Sequence, residues 1–424
     1  MTGFDLSVGA ARTALAPLGL DLADDEALHR HAVAVWCQLV EPGDSAAGRV
    51  VASLGPVEAL ARLVAGAPFA ELTAREDSDA RKRWMPRLSA RAVSDTLRIA
   101  AARGVQLVTR HDPVWPQQLD DLGPHAPMCL WVRGDTAALA RLDPSVAIVG
   151  ARAASGYGDL VARELAAELA GHGIPIVSGG AYGIDGAAHR AALSADGLTV
   201  ALLAGGAERA YPAGHTQLID HIAATGVVAS EVPCGSAPTK WRFLQRNRMI
   251  AALTTATVVV EAGWRSGSLN TAGHAADLGR ALGAVPGPIT SPGSAGTHRL
   301  IREYGGAACV TSADDVRELL GLSASWPAGG PGPRGDDAVR ADPGVRTAPA
   351  ARSVPAAGAG AAARTDDTTR VRDALSTRVG RDADDVARRA GMAVDEVRAL
   401  LGLLRLEGSV LIGADGWRLP SAHR

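Results

Sequence analysis

The segment VAIVGARAASGYG, residues 146–158, decides the fold class. A short apolar run of strand length ends at Gly150, a loop punctuated by small residues follows, and a helix comes after it. Such a turn sets backbone N–H groups and a helix N-terminus at the carboxyl end of a strand, where open α/β sheets bind anions. The glycines fall at 150, 156 and 158, which is not the G-x-G-x-x-G spacing of a dinucleotide site. The next strand ends in Ser178-Gly179-Gly180, where a dinucleotide fold places an acid for the ribose hydroxyl. No Walker A pattern occurs. The spacing therefore argues against a nicotinamide or P-loop nucleotide role. Arg152 in the loop is a candidate phosphate contact, with a plain surface arginine as the alternative.

Outward from this segment, apolar runs alternate with helical stretches across residues 131–322. The runs are 146–149, 174–177, 200–203, 227–229, 258–260 and 284–285, with helices between them such as 160–171 and 186–195. Continuous apolar strands separated by helices predict an α/β domain: a Rossmann-like, doubly wound, mostly parallel sheet covered on both faces. Residues 1–130 read as a helical amino-terminal domain. Helical spacing runs through 28–40, 46–54, 57–63 and 91–103, broken at Pro42-Gly43 and Gly55-Pro56. A short strand at 105–109 and the segment HDPVWPQQL lead into the sheet. Residues 323–365 hold 6 Pro, 7 Gly and 13 Ala among 43 and read as a disordered linker. Residues 366–420 read as helix, glycine turn, helix, then a hairpin turning at Asp415-Gly416, which is a winged-helix pattern.

Charge narrows the function classes. The 424 residues carry a formal net charge of −2, which excludes a uniformly basic nucleic-acid coat and requires any such binding to come from a local patch. Lys82 and Lys240 are the only lysines, against 41 arginines. Four cysteines, Cys37, Cys129, Cys234 and Cys309, form no CxxC, as expected of reduced thiols in a cytoplasmic protein. The first residues lack a basic n-region, and no apolar stretch reaches the ~18 residues of a membrane span, so no membrane partner is expected.

Three further segments bear chemistry. In 174–193 a strand, Ser178-Gly179-Gly180 and a helix starting near Ile184 repeat the anion-binding geometry. Asp185 and His189, four apart, are either an acid/base pair or half a metal site, or else a helix-end carboxylate beside a hydrogen-bonded histidine. The second description is preferred, because no other metal-ligand cluster supports the first. In 238–253 Lys240, Arg242, Arg246 and Arg248 interleave with Trp241 and Phe243, with no acid between Glu231 and Glu261. Cations alternating with flat rings have the composition of a single-strand nucleic-acid groove. In 258–280 a buried strand ends at Glu261, and Arg265-Ser266-Gly267-Ser268 precedes a helix. Glu261 is read as a buried carboxylate paired with an arginine or an N–H group. The three loops are expected to cluster at one sheet edge, as an anion-binding surface larger than one nucleotide needs.

Taken together, these segments resemble the DNA-processing protein A family, also called Smf, over nearly the whole chain. VAIVGAR and SGGAYGID match two of its elements. Leu203–Gly206 with Tyr211-Pro212, Ser230-Glu231, Phe243 with Arg246–Arg248, Glu261–Ala272 and Pro286-Gly287 follow in the family's order. The resemblance implies a non-enzymatic single-stranded DNA binder that forms a homodimer and loads RecA recombinase in transformation and recombination, with no cofactor and no metal. It implies that Arg152 grips phosphate in a deep pocket and that Ser178, Gly179 and Gly180 offer backbone donors. Phe243 would stack on a base, and Lys240, Arg246, Asn247 and Arg248 would line the strand; Ser266, Gly267 and Ser268 complete the candidate surface. Leu244 stands where the family usually has proline, which implies a looser loop around Phe243. Tyr182 stands where many members have arginine. The amino-terminal helices are expected to be helix-hairpin-helix-like or sterile-alpha-motif-like.

Two rival readings remain. The sheet domain also looks distantly like the phosphoribohydrolases of the lysine-decarboxylase-like type, but Ser266-Gly267-Ser268 replaces their glycine-rich loop and no glutamate follows four residues later, where Thr271 and Ala272 stand. A winged-helix duplex regulator is disfavoured by charge: residues 366–424 hold ten Arg and ten acids. A protein-contact or autoregulatory role suits that module better than base readout.

Overall fold

The computed structural model describes residues 4–303, 306–322, 359–413 and 415–420. Six helices come first: α1 (Val8–Leu15), α2 (Asp24–Leu39), α3 (Ser45–Leu54), α4 (Pro56–Ala65), α5 (Ala74–Trp84) and α6 (Ala90–Ala102). Helix α5 is absent from the apolar pattern because its sequence is mostly charged. A Thr73/Glu76 capping box and the burial of Ala80 and Trp84 set it in place instead.

One sheet follows, built of β1 (Val105–Val108), β2 (Leu130–Gly134), β3 (Val146–Gly150), β4 (Ile176–Ser178), β5 (Thr199–Leu202), β6 (Val227–Ser230), β7 (Ala256–Glu261), β8 (Ala281–Ala284) and β9 (Ala307–Cys309). Its order is β1-β2-β6-β5-β4-β3-β7-β8-β9. From β6 to β9 every pairing is parallel, while β2 runs antiparallel to both β1 and β6. Every residue of β5, β6 and β7 is buried, as continuous apolar strands require when helices cover both faces. Those helices are α7 (Gly156–Gly171), α8 (Ile184–Ser194), α9 (Thr216–Thr225), α10 (Lys240–Leu253), α11 (Ser268–Asp277), α12 (Ala295–Glu303) and α13 (Ala313–Leu319). The chain leaves β3 toward β4 on one side and returns as β7 on the other. The crevice at the carboxyl ends of β3 and β7 is therefore a topological switch point, the place where such sheets bind ligands.

The carboxy-terminal module contains α14 (Ala359–Ala374), α15 (Ala383–Ala390), α16 (Val394–Leu406) and the hairpin β10 (Leu411–Gly413) with β11 (Gly416–Arg418). It has its own core, including Val371, Val386, Val397 and Leu401. Helix α14 begins inside the stretch read as linker. The Ala run 361–363, counted there as low complexity, is also the best helix-forming composition. Most of that expected linker, 323–358, lies outside the described residues. Gly413 pairs with Gly416, so Gly416 belongs to the strand β11 and not to the turn in which the sequence reading places it.

The amino-terminal helices join the sheet domain through one continuous core in which Trp36 and Trp84 reach Cys129, Trp131 and Cys234. At the edge of this junction Glu41 is buried. It accepts from Arg242 Nε at 2.9 Å and Nη2 at 2.8 Å, and from Arg87 Nη2 at 2.8 Å. Burial pushes its pKa up, but the guanidinium groups of Arg242 and Arg87 outweigh burial and hold it at about 2. A carboxylate held below its usual range stabilises the fold above that range and loses the effect as pH falls through the folded value. Glu41→Gln is therefore expected to cost about 3–5 kcal/mol at pH 7. The deficit shrinks below pH 4.5 and disappears near pH 2, as read from urea unfolding curves across pH.

Candidate nucleic-acid interface

Helix α10 builds the site. Thr239 caps it, its hydroxyl accepting the N–H of Arg242 at 3.1 Å, and the helix runs unbroken to Leu253. Leu244 lies inside this helix, where it keeps an N–H that proline lacks. It does not loosen a loop: Phe243 sits on helical backbone.

Three arginines of α10 are buried: Arg242 is 8% exposed, Arg246 5% and Arg248 3%. Buried cations require partners. Arg242 has Glu41. Arg248 donates to Glu231 from Nη1 at 2.7 Å and from Nη2 at 2.6 Å, and to the His125 carbonyl from Nε at 2.9 Å. Arg248, expected to line the strand, is thus spent on internal pairing. Arg246 differs. Its Nη1 donates to the Leu202 carbonyl at 2.6 Å, while its Nε is buried with no partner among the described residues. Desolvation pulls its pKa down to about 10; Asp185 opposes the shift and Arg152 adds to it.

In front of Arg246 lies a pocket of about 700 Å³ at the carboxyl ends of β3 and β7. Val149 to Arg152 form one wall, and Lys240, Phe243 and Asn247 another. Ser266, Gly267 and Ser268 close it. Arg152 Cζ stands 4.7 Å from the Phe243 ring centroid and Arg246 Cζ 5.8 Å from it. Asn247 Nδ2 donates to the Gly267 carbonyl at 3.2 Å and to Asn270 Oδ1 at 3.3 Å, tying α10 to the loop before α11. Lys240 is exposed and forms no ion pair among the described residues. Two lining residues were not singled out from the sequence. Tyr211 is 48% exposed, with its ring 5.5 Å from that of Phe243; its only signal was the Tyr-Pro pair. Asp373 arrives from α14, too distant in sequence for any motif to show it.

The Ser-Gly-Gly turn has a different job from the one expected. Ser178 Oγ donates to the Ile148 carbonyl at 2.7 Å inside the sheet. The Gly179 N–H donates to Asp185 at 3.2 Å, and the Gly180 carbonyl accepts from His215 Nδ1 at 3.0 Å. None of the three lines the pocket. A Cβ on Gly179 would stand 1.9 Å from Arg246 Nη1, so the missing side chain makes room for the guanidinium rather than for a ligand. Asp185 also accepts the Ala181 N–H at 3.4 Å, and burial raises its pKa against the pull of Arg246. His189 points elsewhere: Nδ1 donates to the Thr199 hydroxyl at 2.7 Å, whose own proton goes to the Ile176 carbonyl. Burial lowers its pKa to about 3, so it stays neutral. Asp185 and His189 therefore form no acid/base pair. Among the described residues no group of three or more His, Cys, Asp or Glu is placed to hold a metal. Glu261 accepts the N–H of Ser155 at 2.9 Å and its hydroxyl at 2.7 Å, which pins the start of α7 to the end of β7.

These assignments separate two neighbouring arginines. Arg248→Met strands the buried Glu231 and is expected to cost about 3–5 kcal/mol. Arg246→Met removes a cation with an unmet donor and is expected to cost less. Urea unfolding of both variants beside the parent checks the order.

Comparison with known proteins agrees with this geometry. Residues 106–321 match the family model described as DNA recombination-mediator protein A, and residues 355–416 match the DprA winged helix domain. The chain is 45% identical over 298 residues to a Mycobacterium tuberculosis protein that carries the DNA processing name DprA; the match covers 67% of this chain and 73% of that protein. It is 37% identical over 216 residues to the DNA processing protein DprA of Bacillus subtilis, covering 51% of this chain and 70% of that one. The X-ray structure of DNA processing protein A from Streptococcus pneumoniae superposes with a TM-score of 0.56 at 30% identity, over 70% of this chain and 98% of that one. A switch-point pocket with a buried, partly unpaired arginine thus lies within the matched span, and the chain belongs to the DNA recombination-mediator protein A family.

Proposed function

We propose that this chain binds single-stranded DNA in the α10 pocket, acts as a homodimer in the cytoplasm, and delivers the strand to RecA recombinase without catalytic turnover. The observation that carries the reading is Arg246, a 5%-exposed guanidinium facing a 700 Å³ pocket with its Nε unpartnered. A phosphate oxygen supplies the missing acceptor and adds to the countercharge of the nearby Asp185. Phe243 and Tyr211 offer flat faces beside it for bases. A duplex keeps its bases stacked inside and cannot lay one on Phe243, whereas a single strand turns its bases outward. Delivery to a recombinase is the part drawn from the family's description as a recombination mediator.

Among the described residues the pocket offers the hydrolase reading no free carboxylate. Asp185 accepts two backbone N–H groups and Glu261 is held by Ser155. Asp373 also receives two N–H groups. Incubation with nucleoside monophosphates is accordingly expected to release no free base; release would favour the enzyme.

A mobility shift with oligothymidylate against duplex, run across a salt series, tests binding. Three phosphate contacts, at Arg152, Lys240 and Arg246, give a slope of about −2 in log affinity against log salt. Arg152→Ala, and the double variant Lys240→Ala with Arg246→Ala, are expected to abolish the shift while the protein stays folded. Phe243→Ala is expected to lose about 1–3 kcal/mol, and Tyr211→Ala to weaken binding less. Parent-like affinity in the arginine and lysine variants, or a flat salt response, counts against the proposal.

A further inference from the structure

The winged-helix module places an acid on the pocket. Asp373 of α14 accepts the N–H of Lys240 at 2.5 Å and that of Trp241 at 3.3 Å. These are first-turn donors of α10, which the helix cannot satisfy internally, and the Thr239 hydroxyl takes the next one. A helix N-terminus favours an anion. Here the anion comes from another domain, and Asp373 itself lines the pocket beside Lys240 and Phe243. A second contact braces it. Arg370 Cζ stands 5.2 Å from the Trp241 ring centroid, and its Nη2 donates to the carbonyls of Ala390 and Gly391 at 2.8 and 2.7 Å. Gly391 lies so close to Glu41 that a Cβ there would stand 2.4 Å from Glu41 Cγ. The module therefore rests on α10 and on the Glu41 junction at once.

We propose that the winged helix is a latch on the strand pocket. In the closed state Asp373 occupies the anion position that a DNA phosphate takes when the latch opens and frees the Lys240 and Trp241 N–H groups. The proposal rests on the single-strand reading of this pocket and adds its regulation. With ten arginines against ten acids in residues 366–424, the module offers a strand no net positive charge. It meets the pocket through a carboxylate instead. A latch closed about nine-tenths of the time weakens apparent affinity about tenfold.

The test is fluorescence anisotropy of a labelled oligothymidylate with the full chain and the variants Asp373→Ala, Asp373→Asn and Arg370→Ala. The latch predicts that all three bind tighter than the parent, by up to about tenfold. Arg370→Ala is the decisive arm. It removes a positive charge, so electrostatics without a latch makes it bind more weakly, whereas release of the Trp241 contact makes it bind more tightly. Asp373→Asn keeps the side-chain shape, which separates lost charge from misfolding. Equal or weaker binding by Arg370→Ala, or no gain in either Asp373 variant, overturns the latch while parent binding leaves the single-strand reading standing. No binding by the parent or by any variant overturns both.

Discussion

Helix α10 carries three guanidinium groups into the protein interior, and buried glutamates meet only two of them. Burying a cation without an acceptor costs more than most contacts return, so each pairing dictates an element of the architecture. Glu41 lies between α2 and α3, and its bonds to Arg242 and Arg87 lock the amino-terminal helices to the sheet domain. Glu231 follows β6, and its bonds to Arg248 fix the opposite side of α10. Arg246 is left with a carbonyl, a nearby Asp185 and an empty Nε donor. The same helix thereby supplies two structural clamps and one unmet charge, and the unmet charge faces the crevice where the strand order reverses.

The parallel sheet is legible because its central strands are apolar over most of their length, and β3, β5, β6 and β7 fall within a residue or two of the runs that announce them. Strand β2 is not among the apolar runs, because LWVRG joins the sheet beside β6 through antiparallel pairing that no local pattern reveals. Within the site, Lys240, Phe243 and Arg246 come together from the basic and aromatic interleaving of α10, Arg152 joins them from the loop after β3, and Asn247 is a residue that the family resemblance names. Arg248 was not separable from Arg246 by sequence. Both belong to one Arg-Asn-Arg motif, and only the position of Glu231, on a different element, tells them apart. The glycines of Ser178-Gly179-Gly180 were read as room for a ligand, and Gly179 makes room for Arg246 instead. The approaching group is a side chain of the protein, which glycine spacing cannot specify.

Regulation, on this account, uses the same chemistry as binding. The first turn of α10 offers N–H donors beside a lysine that has no ion pair among the described residues, and any anion of suitable reach can take them. In this conformation the reach belongs to Asp373. The winged-helix module keeps a separate core around Val371 and Val397, so it can leave the pocket without unfolding. Its near-balanced charge and its acidic contact suit a competitor of nucleic acid better than a second grip on it.

In the proposed complex a phosphate completes the buried Arg246 guanidinium. A crystal structure of the full chain with a short oligothymidylate is then expected to show a phosphate oxygen within about 3 Å of Arg246 Nε, with a base against the Phe243 ring. A strand that follows another surface while Arg246 Nε stays without an acceptor would contradict the proposal.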